Sequence, residues 1–145
     1  MTTYVLLFLI AALVGMAAAL QAQFMGQMGQ AIGTFESVFI TYGIGGGIIA
    51  VIALVMRGGN LGAWRGVPPY TFSSGLLGLA IVGGLAYLAP RIGLVATFTV
   101  VVTAQFVVAA LIDHLGLFDA TVRTLDASRA GGIGLLLVGL WLIVR

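Results

Sequence analysis

Apolar residues run along this chain in five long, nearly unbroken stretches, with polar and helix-breaking residues gathered between them. The runs lack the strict alternation of a half-buried strand and the one-sided stripe of a helix lying on a water-soluble core. Each is near the ~20 residues that an α-helix needs to cross ~30 Å of hydrocarbon. The breaks fall at Gly33-Thr34, at Arg57-Gly58-Gly59-Asn60, at Pro68-Pro69, at Pro90, and in the polar segment from Leu115 to Ser128. They predict helices over about 3–32, 35–56, 72–89, 93–113 and 129–145, the first becoming more polar after Leu20. Membrane barrels show ten-residue segments of alternating polarity instead. The predicted fold class is therefore all-α, a single polytopic transmembrane domain over residues 1–145. Tyr4 to Leu20 has the look of a secretion signal, with Ala17-Ala18-Ala19 as a cleavage site. No basic stretch precedes it, so it reads as a retained helix. No internal repeat stands out.

Composition strengthens this picture. Of 145 residues, 61% are hydrophobic and 7% charged, and the mean hydropathy is +1.22. Soluble domains are nearer half apolar and a quarter charged. A chain this short cannot hide so much apolar surface in its own core, so the bilayer is its expected partner. The net charge of +2 comes from scattered arginines without a basic stripe, which argues against nucleic acid. With five spans, Arg57, Arg65, Arg123 and Arg129 share a side with the N-terminus, and Arg91 and Arg145 face the other. The positive-inside rule then favours a cytoplasmic N-terminus. Trp64, Tyr70, Tyr87 and Trp141 are placed like interface aromatics.

Few residues carry chemistry. There is no cysteine and one histidine, so no zinc site is expected. Nucleophile-elbow, Walker and dinucleotide motifs are lacking, and neither an enzyme nor a cofactor is expected. The Asp113-His114 pair closes the fourth helix and suits an anchor and cap better than a catalytic pair. Asp126 or Ser128 is placed to cap the fifth.

The remaining signals are glycines and buried polar groups. Gly26, Gly29 and Gly33 form one smooth stripe, and Gly43 and Gly47 make a GxxxG beside Gly45 and Gly46. Gly75 and Gly78 open the third helix, and Gly131, Gly132 and Gly134 the fifth. Small residues let membrane helices approach closely, which serves plain packing or a sliding, rocking contact. Gln23, Gln27 and Gln30 share a face of the first helix, with Gln21 a turn earlier, and Gln105 lies within the fourth. A buried glutamine needs partners for both amide ends. Bonds between helices and a polar cavity both satisfy that need. Glu36 falls in the first turn of the second helix, on the face of Ile40, Gly43 and Gly47. The helix dipole accounts for an acid there, as does a proton- or cation-binding role.

Several stretches resemble a known family. They are Leu20-Gln21-Ala22, Met25-Gly26-Gln27-Met28-Gly29 with Gly33-Thr34, Gly75-Leu76-Leu77-Gly78, and Pro90-Arg91-Ile92-Gly93 with Thr97. Gln105, Ile112-Asp113-His114-Leu115-Gly116 and the ending from Arg129 through Gly132 and Gly139 to Arg145 complete the set. Together they resemble the YdcZ-like five-helix proteins of the drug/metabolite transporter superfamily, related to the small multidrug resistance proteins. The resemblance implies an inner-membrane exporter. Small multidrug resistance proteins carry an acid midway along helix one, and Tyr4 to Leu20 holds none, so their proton-exchange chemistry does not transfer to that position. The expectation is a secondary transporter of a small metabolite, drug or cation, working by alternating access as a homodimer. Its site would be lined by Gln21, Gln23, Gln27, Glu36, Tyr42 and Gln105, with Tyr87 an alternative to Tyr42 and Glu36 holding the coupling proton or cation. Gly26, Gly29, Gly33, Gly43 and Gly47 would pack helices. A non-transporting membrane scaffold and a passive channel are the rival expectations.

Overall fold

The structure, a computed structural model, describes residues 2–145, with side chains from Tyr4 onward. Among the described residues there are helices and turns and no strands. The long helices are α1 (Thr2–Ile32), α2 (Thr34–Val55), α3 (Ser74–Ile92), α4 (Leu94–Leu115) and α5 (Ala127–Val144). Each is long and apolar enough to cross a membrane, the third when counted from Pro69. The distribution of side chains is the reverse of a soluble core. Among the described residues the buried hydrophobics are Ala22, Met25, Ala86 and Ala89, while leucines, isoleucines and phenylalanines face outward along all five helices. Lipid tails are as apolar as leucine, so burying leucine gains little; close approach of small residues gains dispersion. The chain is an all-α, multi-pass membrane protein.

Predicted helix boundaries shift by up to three residues, and two of the shifts have a visible cause. The third helix does not stop before Pro90 but runs through it to Ile92. A proline in the last turn costs one backbone bond, and its ring lies against the hollow at Gly26. The fifth starts earlier, at Ala127, because Asp126 caps it: the carboxylate accepts from the backbone N–H of Arg129 at 2.8 Å and the Ser128 hydroxyl at 2.7 Å. The Arg129 N–H bond, and then the Ser128 hydroxyl, hold the Asp126 carboxyl below the ordinary carboxylate range.

The chain divides into two compact units, Met1–Arg91 and Ile92–Arg145. In the first, α1 and α2 fold into a hairpin at Gly33, whose φ of 108° and ψ of 149° suit glycine alone. The buried Ser37 hydroxyl stitches the seam by donating to the Met25 carbonyl at 2.9 Å. Small residues admit α3. A Cβ built on Gly26 would lie 3.0 Å from the Pro90 ring, and one on Gly83 would lie 3.7 Å from Val38. In the second unit, α4 ends on left-handed Gly116. The chain then folds back, with the Arg123 N–H on the Asp113 carbonyl at 2.9 Å and the Leu125 N–H on the His114 ring at 3.2 Å.

The helix–glycine–helix junction at Gly33 recurs at Gly93, with φ of 86° and ψ of 152°, and both following helices have 22 residues. A fully buried hydroxyl residue, Ser37 or Thr97, stands at the same place after each glycine. Residue identity hides the likeness: Thr34-Phe35-Glu36-Ser37 and Leu94-Val95-Ala96-Thr97 match at no position.

Candidate functional site

Depth along the helices sorts the polar residues. The 31 residues of α1 span about 46 Å at ~1.5 Å per residue, more than ~30 Å of hydrocarbon. Its final turns therefore reach the headgroups, or the helix tilts. Counted from the Gly33 junction, Glu36, Gln30 and Gln27 lie within about 9 Å, whereas Tyr42 and Gln21 lie about 14 and 18 Å in. The first group sits near the turn of the hairpin and the second farther along it, all five being exposed.

The hairpin brings Gln21 and Tyr42 together. Gln21 of α1, Thr41, Tyr42, Gly45, Gly46 and Ile49 of α2, and Val82 of α3 line a cleft of about 430 Å³. A Cβ built on Gly45 or Gly46 would meet nothing within 4 Å, so the missing side chains leave open space in the cleft. Gly78 makes room for the tyrosine: a Cβ there would come within 2.8 Å of the Tyr42 hydroxyl oxygen. On the other side of the α1–α2 seam, Gln21 and Thr41 also line an apolar cleft of about 440 Å³ with Phe24, Met28, Ile40 and Ile44. Both clefts have the size of small-ligand sites.

Among the described residues Gln21 makes no side-chain hydrogen bond. Its amide offers two donors and an acceptor, and the Thr41 and Tyr42 hydroxyls add two groups able to donate or accept. The cleft is polar without formal charge. It can hydrogen-bond a polar solute, and the face of Tyr42 can attract an organic cation.

The other expected residues lie elsewhere. Gln23, Gln27 and Gln30 are exposed on α1 and Gln105 on α4, with no side-chain hydrogen bonds among the described residues. Glu36 is exposed at the start of α2 with its carboxylate folded over Gly33. Tyr87 stands under Arg91, whose guanidinium lies 3.5 Å above its ring and donates to its carbonyl at 2.6 Å. That makes Tyr87 a helix-end anchor. Gly26 and Gly29 meet neighbours within 4 Å, Gly33 serves the turn, and nothing comes within 4 Å of a Cβ at Gly43 or Gly47. Sequence reading missed Thr41, Gly45, Gly46 and Val82 as lining residues and Gly78 as the seat of Tyr42. Gly45 and Gly46 had been visible only as neighbours of the GxxxG. Thr41 and Val82 gave no signal, because nothing in a single helix says which face a second helix will meet.

The family described as "Putative inner membrane exporter, YdcZ" matches residues 6–142. The chain belongs to the YdcZ family. No curated protein and no solved structure matches it. Membership across nearly the whole length makes this YdcZ chain a multi-pass protein of the inner membrane, in a family of transporters rather than enzymes. The five apolar helices agree with that placement.

Proposed function

We propose that the protein is a small secondary transporter that exports a polar or cationic small molecule by alternating access, with the Gln21–Tyr42 cleft as its substrate site. The carrying observation is the position of that cleft. Unbonded polar groups beside glycine-opened space, part-way along the hairpin, suit the near-midplane sites at which transporters hold substrate. Gln21, Thr41 and Tyr42 bind, and Gln23 and Gln27 line the route to and from the cleft. Glu36, on the Gly43–Gly47 face and outside the cleft, is the coupling carboxylate, where a proton and a cationic substrate compete for one charge. The protein works as a dimer, because one hairpin cannot enclose a pathway. The Gly43–Gly47 face of α2, open within the chain, meets the second copy and carries Glu36 to the interface.

Proteoliposome transport of a panel of organic cations and polar metabolites tests this reading. Gly46→Leu, which fills the cleft, and Gln21→Ala should each lower uptake at least tenfold, and Glu36→Gln should abolish substrate-linked proton movement. Wild-type rates in all three would sink the site. The open α2 face is equally what a scaffold needs to dock a partner helix. A chain that binds no solute yet loses assembly on Gly47→Leu would favour that second reading.

A further inference from the structure

The second unit holds a slot that the transport reading does not use. Phe106, Ala109, Ala110 and Asp113 of α4, Arg129, Gly132, Ile133 and Leu136 of α5, and Leu125 of the return segment enclose about 430 Å³. The charges gather at one end. Asp113 lies in the last turn of α4 and Arg129 in the first turn of α5, while Phe106 and Leu136 lie about 10 Å deeper along their helices. The mouth is charged and the shaft is apolar.

The mouth is built rather than left over. Gly116 turns the chain back in the left-handed region, where a Cβ would strike Val122 at 2.7 Å. The return segment is then pinned twice, through the Asp113 carbonyl and the His114 ring, which sets Leu125 over the slot. Asp113 and Arg129 face this space without forming an ion pair, and the Asp113 carboxylate makes no hydrogen bond among the described residues. The Arg129 guanidinium has only a long 3.5 Å contact with the Arg123 carbonyl and the Coulombic influence of Asp126. Charges this close to hydrocarbon are costly unless paired, so Asp113 calls for a counter-charge from outside, and the Arg129 guanidinium, shared with Asp126, keeps donors free for a further acceptor.

The geometry points to a binding slot for a zwitterionic phospholipid bearing a primary ammonium. The ammonium donates to Asp113, the phosphate accepts from Arg129, and an acyl chain follows Ala109, Ile133 and Leu136 inward. A purely anionic headgroup meets Asp113 unfavourably. A quaternary ammonium cannot donate a hydrogen bond to it.

The test is native mass spectrometry of the delipidated full chain, titrated with phosphatidylethanolamine, phosphatidylcholine and phosphatidylglycerol. Expected is a roughly tenfold preference for phosphatidylethanolamine, the size of one charge-assisted hydrogen bond. Asp113→Asn should erase the preference over phosphatidylcholine, and Arg129→Gln should weaken both zwitterionic lipids. Gly132→Leu should abolish retention of all three; a Cβ at Gly132 meets nothing within 4 Å, so the variant fills the slot without disturbing the fold. Equal retention of the three lipids, or unchanged selectivity in Asp113→Asn at native helix content, overturns the assignment. Displacement by soluble glycerophosphoethanolamine at concentrations matching the lipid's own Kd overturns it too, because the shaft would then contribute nothing.

Discussion

The two glycine junctions share a backbone and differ in what the following turn does with its hydroxyl. At Gly33, Ser37 reaches across to the Met25 carbonyl of the preceding helix, and the junction becomes a stapled hairpin. At Gly93, Thr97 donates to the Gly93 carbonyl of its own turn at 2.8 Å. That junction caps its helix without tying it to the one before, and the boundary between the two compact units falls beside it. One backbone device thus yields a helix stapled to the one before it or a helix bonded only within its own turn, depending on where one hydroxyl proton goes. The first ties together the α1–α2 pair that carries the candidate cleft.

The largest expected effect comes from filling the space that admits α3. Gly26→Val would push a branched side chain into the rigid Pro90 ring and cost about 1–3 kcal/mol. Reversible unfolding in mixed micelles, followed by circular dichroism, reads the loss; an unchanged midpoint would mean that α3 does not rest on α1.

Next come Gly33→Ala and Gly93→Ala. Both place a Cβ in a region costing about 1–3 kcal/mol, so their stability losses should be alike. Function should separate them. A Cβ at Gly33 would displace the Glu36 carboxylate, whereas one at Gly93 meets nothing within 4 Å. Gly33→Ala should therefore alter proton-linked transport beyond its effect on folding, and Gly93→Ala should not. Equal transport in the two variants would remove the distinction.

The hydroxyls follow. Ser37→Ala removes a buried bond between helices and should cost about 1 kcal/mol. Thr97→Val keeps the shape and loses only a bond to its own turn, for about half of that or less. Hydrogen exchange near Met25 and Gly93 checks the order, and a larger loss at Thr97 would reverse the comparison.

The smallest effect is at Asp126. Because its folded-state pKa is lowered, the cap contributes fully above the unfolded carboxylate value and is lost as pH falls through the lowered folded value. The first turn of α5 should fray on acidification, and Asp126→Asn should leave that turn pH-independent. Amide exchange of Ser128 and Arg129 between neutral and acid pH reports it.

Much of this was legible in residues alone. Continuous apolar runs can only be spanning helices, because hydrocarbon satisfies no backbone group, and the breaks at Gly33 and at Asp126 follow from local chemistry. Pro90 misled because its ring packs against Gly26, a contact no local rule contains. The likeness of the Gly33 and Gly93 junctions escaped because φ and ψ carry it while residue identity does not. The polar groups of α1 and α2 were visible, but not their sorting. Gln27 and Glu36 belong to the hairpin end, and only Gln21 shares a cleft with Tyr42, because the crossing of two helices decides which faces meet. Sequence determined the solvent, the helices and the family. Tertiary structure decided which small residues become contacts, which become open space, and which polar groups are left facing it. In lipid those choices rest on close backbone approach, and close approach exists only between helices.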